Sequence, residues 1–378
     1  MPSNLLREPL RSFRPYVAGK PIEEVRREYA LNGRIAKLAS NENPLGTSPM
    51  ALAAMRKALE EVYLYPDDSS FYLRRKLADK FGLEQDNVFV ASGSVEVLEL
   101  CAIAFLNPSD AVVTSERTFA IYELVARKVG AQLRLAPMID GGYRYDMQGI
   151  AARIDDRVKI VFLANPTNPT GTWFTRDEFD QFMAKVPQDV LVVYDAAYEE
   201  YTTVDDMPDP LVHLRQGRRL LYVRTLSKAY GLAGMRVGFA LGPVDVVQGL
   251  MTCRFPFNAN LVAQAGAMAA IDDVEFVRRS REFNTAELDF LRKGLAGLPV
   301  TVPPSQGNFL LIDTSKDASW LFVELQKRGI IVRPMGPYGL PGAIRVSPGL
   351  HEDNERFVAS LRELLAGPTG SLRPPPGF

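Results

Sequence analysis

The chain has 378 residues, a formal net charge of −1, and hydrophobic and charged contents of 47% and 24%. This length predicts about two domains, and the composition is that of an ordinary globular enzyme. The near-zero charge argues against nucleic-acid or anionic-membrane partners. Because His213 and His351 are the only histidines, a histidine-based triad or a histidine-rich metal site is not expected.

Cysteine usage and the N-terminal segment predict a cytoplasmic protein. Cys101 and Cys253 both lie in apolar contexts, so we expect free buried thiols in a reducing compartment rather than a disulfide. Residues 1–13 lack the apolar run of a secretory signal. No stretch reaches the roughly 18 apolar residues that indicate a membrane span.

The first part of the chain predicts a polar arm followed by separate helices. The arm covers residues 1–20, and helical patterns follow at 21–30, 49–61 and 70–81. From residue 88 onwards, strands and helices alternate. Strands are predicted at 88–91, 111–114, 132–136, 159–163, 190–194, 220–223 and 237–241, and helices at 95–105, 120–129 and 176–185. Continuous apolar strands that alternate with helices predict an α/β fold whose mostly parallel sheet is covered on both faces.

A smaller α+β domain is predicted after Pro243. Its helices are expected at 261–271, 274–298, 318–327 and 352–365, and its strands at 307–312, 330–333 and 343–346. The expected division gives residues 1–48 to the arm and part of the small domain, 49–255 to the large domain, and 256–366 to the small domain. Residues 367–378 form a Pro/Gly-rich tail that we expect to be disordered.

The segment 225–240 carries the strongest chemical signal in the chain. Lys228 follows the apolar run 220–223 and lies among small and hydroxylic residues. A buried lysine has a lowered pKa and becomes an amine nucleophile suited to a Schiff base. Thr225, Ser227 and Arg236 are able to hold a phosphate beside it. Taken alone, a solvated loop lysine explains this segment equally well.

Three other predicted strand ends carry polar residues. Small residues at 92–94 indicate either an anion site at a helix N-terminus or an ordinary N-cap. Two closely spaced X-Pro steps fix the backbone around Asn168 and place its amide rigidly. The alternative is that this segment is only a structural turn. Asp195 ends the most apolar strand, with Tyr198 three residues later. A buried carboxylate needs a partner, such as a protonated pyridine nitrogen, unless it caps the next helix.

Together these residues resemble the site of a known family. The order and spacing of Asn168, Asp195, Tyr198, Lys228 and Arg236 are similar to those of fold-type I pyridoxal 5'-phosphate aminotransferases. The resemblance is closest to the histidinol-phosphate aminotransferase branch. Similar motifs occur at residues 13–16, 40–46, 65–67, 224–236 and 256–260. The resemblance implies a large domain with a mostly parallel seven-stranded sheet and a smaller α+β domain.

The resemblance implies a role for each matching residue. Lys228 resembles the Schiff-base lysine, which also moves the proton, and Asp195 resembles the carboxylate that keeps the pyridine nitrogen protonated. Asn168 and Tyr198 resemble the pair that binds the phenolic oxygen, and Phe119 the aromatic residue over the ring. The implied phosphate cradle consists of Gly93, Ser94, Val95, Thr225, Ser227 and Arg236, with Val95 where the family often has an acidic residue.

Substrate and assembly also follow from the resemblance. Arg345 resembles the arginine that binds the substrate anion, with Arg333 as a second grip and with Tyr16 and Asn43 lining the pocket. Tyr65 resembles the tyrosine that reaches the phosphate in the neighbouring subunit, which implies a homodimer. The implied substrates are a small amino donor, histidinol phosphate, and 2-oxoglutarate as the 2-oxo acid.

Other activities on the same scaffold remain alternatives. An aromatic or other amino acid is a possible donor, since residues 347–349 depart from the motif of the branch. A decarboxylase or lyase, such as a threonine-phosphate decarboxylase, would keep Lys228, Asp195 and Arg236, because it needs the same electron sink. A transcription regulator would need a DNA-binding module, which we do not expect in the short N-terminal arm.

Overall fold

The structure is a computed structural model that describes residues 5–11 and 19–367. The helices are Glu8–Arg11 (α1), Ile22–Glu28 (α2), Pro49–Ala58 (α3), Phe71–Phe81 (α4), Ser94–Phe105 (α5), Ile121–Val129 (α6), Met147–Ala151 (α7), Arg176–Lys185 (α8), Pro210–Arg215 (α9), Val244–Cys253 (α10), Leu261–Asp272 (α11), Val274–Leu295 (α12), Ala318–Lys327 (α13) and His351–Ala366 (α14). The strands are Ala36–Lys37 (β1), Val88–Ala91 (β2), Ala111–Ser115 (β3), Gln132–Ala136 (β4), Met138–Ile139 (β5), Arg144–Tyr145 (β6), Val158–Ala164 (β7), Leu191–Asp195 (β8), Leu220–Thr225 (β9), Gly238–Leu241 (β10), Leu310–Asp313 (β11), Ile330–Ile331 (β12), Arg333–Pro334 (β13) and Ala343–Val346 (β14).

The large sheet has seven strands in the order β2-β10-β9-β8-β7-β3-β4. Strand β10 is antiparallel to both of its neighbours, and the other pairs are parallel. The prediction of an α/β fold with a mostly parallel seven-stranded sheet is therefore confirmed. The parallel strands bring their carboxyl ends to one edge of the sheet, which is where open α/β folds bind ligands.

Strand β8 shows why these strands are apolar without alternation. Val192 and Tyr194 pack in the core on one face of the sheet, together with Phe179 of α8. Leu191 and Val193 point to the other face and pack in a second core with α5, α6 and α10. Because successive side chains of a strand alternate between faces, a sheet covered on both sides requires an apolar residue at each position.

A second, three-stranded sheet has the antiparallel order β11-β14-β13. Its core contains Leu325 of α13, Phe357 of α14 and Leu291 of α12. Strand β1 pairs with β12, with Ala36 opposite Ile330, so the segment before α3 joins the C-terminal part of the chain.

The limits of the two domains stay a prediction. Two helices, α10 and α11, differ from what the sequence analysis predicted. Helix α10 was not predicted, because its apolar residues follow the strand β10 without a clear change of pattern. Helix α11 was expected in the small domain, yet its Ala263 and Ala267 pack in the core of the large sheet, beside Met55 of α3. The predicted tail, apart from Gly367, and the motif at 13–16 lie outside the described residues.

Among the helices that the structure describes, none is long and apolar enough to cross a membrane. Longer helices such as α12 carry charged residues on one side and bury residues such as Leu288 and Leu291 on the other. This pattern is typical of helices that cover a protein core.

Candidate active site

A cavity of about 240 Å³ lies at the carboxyl edge of the large sheet, between this sheet and the β13–β14 hairpin. Strands β7, β8 and β9 end at its wall. It is lined by most of the predicted site residues, namely Ser94, Val95, Phe119, Asn168, Asp195, Tyr198, Thr225, Ser227, Lys228, Arg236, Arg333 and Arg345. The fold thus brings residues that are up to 251 positions apart in sequence, Ser94 and Arg345, to one place.

Lys228 follows the end of β9 and is partly buried in the cavity wall, with its Nζ 3.5 Å from the carbonyl oxygen of Ser40. Burial lowers the pKa of Lys228 to about 8, and the nearby Arg345 and Arg236 cations act in the same direction. A larger fraction of its amine is therefore neutral near physiological pH than in an ordinary lysine. A neutral, fixed amine is the nucleophile required for attack on an aldehyde.

Asp195 is the last residue of β8 and is 4% exposed. Its Oδ2 accepts a hydrogen bond from the Tyr122 hydroxyl at 2.9 Å, and its Oδ1 accepts one from the Ala197 backbone N–H at 3.2 Å. Burial raises the pKa of Asp195 to about 6 despite these two donors. A cation beside Asp195 in the cavity would favour the ionised carboxylate.

Asn168 and Tyr198 are each held by a hydrogen bond from a residue of the N-terminal or C-terminal segment. Arg345 donates from Nη1 to Asn168 Oδ1 at 2.6 Å and from Nη2 to the Ala39 carbonyl at 2.9 Å. Asn41 donates from Nδ2 to the Tyr198 hydroxyl oxygen at 2.9 Å. Because Asn168 Oδ1 accepts from a guanidinium, its Nδ2 is the group left to donate elsewhere. The peptide bonds preceding Pro166 and Pro169 are both cis.

The predicted phosphate cradle forms one face of the cavity. Helix α5 begins at Ser94, and its N-terminus favours an anion through the helix dipole. The Thr225 hydroxyl donates to Ser227 Oγ at 3.0 Å. Gly93 has φ of +78°, and a Cβ at this position would lie 2.6 Å from Nη2 of Arg236. Glycine is favoured here by its backbone conformation, and a side chain at this position would displace the Arg236 guanidinium.

Arg333 and Arg345 lie directly opposite each other on the antiparallel strands β13 and β14. Directly paired residues project to the same face of a sheet, and both side chains line the cavity. The Arg345 guanidinium also lies 5.3 Å from the ring centroid of Phe309. Two permanently charged groups on one wall make this side of the cavity suited to a polyanion.

Three predicted site residues, Gly93, Asn43 and Tyr65, are absent from the described residues that line the cavity. Asn43 lies behind the wall, where its Nδ2 donates to the Ala229 carbonyl at 2.9 Å and to Ser280 Oγ at 2.8 Å. Tyr65 is 80% exposed and is absent from the described residues that line the cavity of its own chain. Tyr16 lies outside the described residues.

Sequence reasoning missed Tyr122 and Asn41, which donate hydrogen bonds to two of the predicted site residues. Tyr122, the donor to Asp195, lies on the buried face of α6 and stacks on Phe162 at 4.9 Å between centroids, so its sequence pattern is that of a core aromatic. Asn41 belongs to the motif at 40–46, and that motif was the available signal. The prediction selected Asn43 from this motif, whereas Ser40 and Asn41 form the cavity wall.

Comparison with known proteins agrees with this geometry. The family described as aminotransferase class I and II matches residues 34–361. Histidinol-phosphate aminotransferase 2 of Pseudomonas fluorescens is 46% identical, over 93% of this chain and 95% of its own. The histidinol-phosphate aminotransferase of Anaeromyxobacter sp. is 47% identical, over 94% of this chain and 97% of its own. The crystal structure of histidinol-phosphate aminotransferase from Sinorhizobium meliloti, in complex with pyridoxal-5'-phosphate, is 27% identical with a TM-score of 0.87, over 96% of this chain and 98% of that chain.

The chain belongs to the aminotransferase class I and II family. The resemblance to the histidinol-phosphate aminotransferase branch is confirmed as well, because curated relatives that are 40% to 47% identical over most of the chain carry that name. The large sheet and the site edge are therefore those of an aminotransferase.

The lowered pKa of Lys228 predicts how the protein reacts with an aldehyde. Protein freed of cofactor should capture pyridoxal 5'-phosphate at a rate that rises as the pH increases through about 8, since only the neutral amine attacks. The growth of visible absorbance measures this rate, and Lys228→Ala is the control that should lack it. A midpoint near the ordinary lysine pKa of about 10.4 would contradict the described environment of Lys228.

Proposed function

We propose that this chain is a pyridoxal 5'-phosphate-dependent aminotransferase that transfers the amino group of histidinol phosphate to 2-oxoglutarate. The observation that carries the proposal is the cavity itself, onto which Lys228, Asp195 and the Arg333–Arg345 pair all open. This reaction requires three groups, namely an amine nucleophile, a buried carboxylate and a pair of cations that binds a polyanion. The names of the relatives that are 40% to 47% identical support the same substrate.

The residues of the cavity fit this cofactor. The cradle at Gly93 and Ser94, with Arg236 packed against it, is suited to a phosphate group. Asp195, with its pKa raised by burial to about 6, is suited to a protonated ring nitrogen, whose positive charge would favour the carboxylate. Asn168 and Tyr198 offer hydrogen-bonding groups for the phenolic oxygen, and Phe119 offers a ring face.

When bound, pyridoxal 5'-phosphate supplies an electron sink for the electron pair released at the substrate Cα. Asp195 would keep the ring nitrogen protonated, which is why the sink requires a carboxylate at this position. Lys228 would hold the cofactor through its amine, and its Nζ would take the proton of the substrate Cα and return it. The lowered pKa of Lys228 suits it for both directions of this transfer.

The two arginines account for both substrates. Histidinol phosphate carries a phosphate dianion, and 2-oxoglutarate carries two carboxylates, so that each needs a permanently charged donor in the same cavity. Arg345 is nearly buried and is oriented by its hydrogen bond to the Ala39 carbonyl oxygen. This favours Arg345 as the residue that binds an anionic group of both substrates. Arg333, one strand away, would add the second guanidinium that a dianion favours.

The decarboxylase and lyase alternatives are not favoured, because the curated relatives that are 40% to 47% identical carry the histidinol-phosphate aminotransferase name. Donor choice within the aminotransferase class is tested by the kinetics below. Loss of carbon dioxide would identify a decarboxylase.

An exposed apolar face supports the proposal of a homodimer. Tyr63, Tyr65 and Tyr72 are 81%, 80% and 72% exposed, and Phe255 is 83% exposed. Tyr65 stacks on Phe257, with 4.5 Å between ring centroids, which joins the two segments into one surface. Contiguous exposed aromatic residues mark interaction sites. A second copy covering this face would bring Tyr65 to the phosphate of its partner and complete the shared site.

Asp195→Asn tests the electron-sink assignment. The variant should still bind pyridoxal 5'-phosphate, while kcat for transamination falls by at least about 10²-fold, since an amide does not hold the ring nitrogen protonated. Absorbance measures cofactor binding, and Asp245→Asn, an exposed carboxylate on α10, is the control. A kcat near that of the wild-type protein would mean that another carboxylate does this work.

Arginine variants test the substrate assignment. Arg345→Gln should lower kcat/KM for both histidinol phosphate and glutamate, whereas Arg333→Gln should lower it about 10- to 100-fold more for the phosphorylated donor, the size of a charge-assisted hydrogen bond. Steady-state kinetics measures both, and Arg362→Gln, an exposed arginine on α14, is the control. If wild-type kcat/KM is no better for histidinol phosphate than for phenylalanine or tyrosine, the donor assignment fails.

Mixing two inactive variants tests the shared site. Lys228→Ala keeps Tyr65, and Tyr65→Ala keeps Lys228, so a mixed dimer assembles one complete site if Tyr65 acts in the partner. Activity at limiting cofactor should therefore reappear after the two variants exchange subunits. Absence of recovery, with mixed dimers verified by mass spectrometry, would show that Tyr65 does not act across the interface.

A further inference from the structure

Asn41 connects the C-terminal part of the chain to Tyr198 through a chain of hydrogen bonds. Its side chain is 1% exposed, and its backbone has φ of +53°, a conformation that asparagine tolerates better than most residues. The Asn41 backbone N–H donates to Ser347 Oγ at 2.9 Å, and Ser347 Oγ donates to Asn41 Oδ1 at 2.8 Å. Asn41 Nδ2 then donates to the Tyr198 hydroxyl oxygen at 2.9 Å.

The order of donors and acceptors in this chain fixes the direction of each bond. The Ser347 hydroxyl has one proton and accepts one from the Asn41 backbone, so its own proton goes to Asn41 Oδ1. With Oδ1 used as the acceptor, the NH₂ group of the Asn41 amide faces Tyr198. This group donates only, and the Tyr198 oxygen is therefore the acceptor in their shared hydrogen bond.

A further contact holds this arrangement in place. Asn308 Nδ2 donates to the Asn41 carbonyl at 3.0 Å, so each polar group of Asn41 has a partner. The Tyr198 ring packs edge-on against Phe309, with 5.1 Å between centroids. The Tyr198 ring is fixed, and its hydroxyl oxygen already accepts a hydrogen bond from Asn41. Rotation of the hydroxyl proton is therefore the freedom that this side chain retains. Tyr198 lines the cavity, which contains space for an acceptor.

We propose that Asn41, oriented by Ser347, is a positioning residue that fixes the Tyr198 hydroxyl as a hydrogen-bond donor to the phenolic oxygen of the cofactor. The inference rests on the proposed function, since it needs that oxygen in the cavity. In this scheme Asn41 does not act on the substrate. It acts on the phenolic oxygen of the cofactor through Tyr198.

Strand β14 places this chain of hydrogen bonds beside Arg345, the arginine that we propose to bind the substrate. Ser347 follows β14 and lies two residues after Arg345, so both project from the same side of the extended chain. Arg345 orients Asn168 in the same manner, by donating to its Oδ1. The two proposed ligands of the phenolic oxygen, Asn168 and Tyr198, are thus both set as donors from one segment. A change in the position of that segment would change both hydrogen bonds together.

Asn41→Ala is the primary test, because it removes the donor without adding a charge. A Tyr198 hydroxyl that no longer accepts from Asn41 is a weaker and less directed donor to the phenolic oxygen. A phenolic oxygen whose donor is weakened holds a shared proton more tightly, so the pH-dependent visible band of the cofactor-loaded protein should titrate at higher pH. The expected rise in its apparent pKa is at most roughly 1 unit, since one hydrogen bond to this oxygen is weakened and not removed. A spectroscopic pH titration measures it, without any assay of activity.

Asn41→Asp provides a second variant that retains the shape and the backbone tolerance of asparagine. Its carboxylate accepts rather than donates, and would draw the Tyr198 proton away from the cavity. The apparent pKa should rise at least as far as in Asn41→Ala. Ser347→Ala, which leaves the Asn41 amide without its orienting partner, should raise the apparent pKa in the same direction.

A double-mutant cycle separates this role from a purely structural one. Tyr198→Phe should itself raise the apparent pKa, and adding Asn41→Ala to Tyr198→Phe should raise it no further, because Asn41 acts through the missing hydroxyl. Asn284→Ala is the matched control. Asn284 is also a buried amide and donates to the Gly307 carbonyl at 3.2 Å. It is not among the described residues that line the cavity, so its loss should lower the melting temperature without moving the apparent pKa.

The outcomes distinguish this inference from the proposed function. A wild-type protein that forms no titrating visible band with pyridoxal 5'-phosphate would contradict the proposed function, and the inference with it. A wild-type band that titrates, together with Asn41→Ala and Asn41→Asp proteins that titrate at the same pH, would overturn the inference alone. Equal shifts from Asn41→Ala in the wild-type protein and in the Tyr198→Phe variant would also overturn it.

Discussion

The buried carboxylate of Asp195 is the constraint on which this site depends. A carboxylate that is 4% exposed is costly unless it is hydrogen-bonded or faces a positive charge. Tyr122 and the Ala197 backbone supply two donors, and its pKa nevertheless remains raised, to about 6. The interior of the fold supplies the two hydrogen-bond donors, and a cationic ligand in the cavity would supply the positive charge that favours the ionised carboxylate. This residue therefore links the core of the sheet to the chemistry that we propose.

The large sheet and the C-terminal segment contribute different parts of the site. The strand ends of the sheet provide Lys228, Asp195 and the residues of the proposed anion cradle. The β13–β14 hairpin provides Arg333 and Arg345, and the connection that follows it orients Asn41 through Ser347. Arg345 contacts Asn168 and also lines the cavity, so in the proposed function one side chain both binds the substrate and orients a ligand of the cofactor.

Sequence reasoning predicted the sheet, and it singled out the polar residues at its strand ends that line the cavity, because both depend on local patterns. The roles of these residues stay a prediction. Buried parallel strands are apolar throughout, and Asp195 and Lys228 stand out where two of them end. It failed where the role of a residue depends on a distant partner. Tyr122 has the pattern of a core aromatic, and only the fold brings its hydroxyl to Asp195. Asn41 and Asn43 are alike in sequence, and their roles differ because one meets Tyr198 and the other meets Ser280.

The half-reaction with histidinol phosphate, in the absence of any 2-oxo acid, tests the central claim most directly. Cofactor-loaded protein should convert one equivalent of donor per Lys228 site into the corresponding ketone, retain the amino group on the cofactor, and release no carbon dioxide. Mass spectrometry of the small molecules and the visible spectrum of the protein follow both halves of this balance. Release of carbon dioxide, or an unchanged donor beside a fully loaded Lys228, would contradict the account.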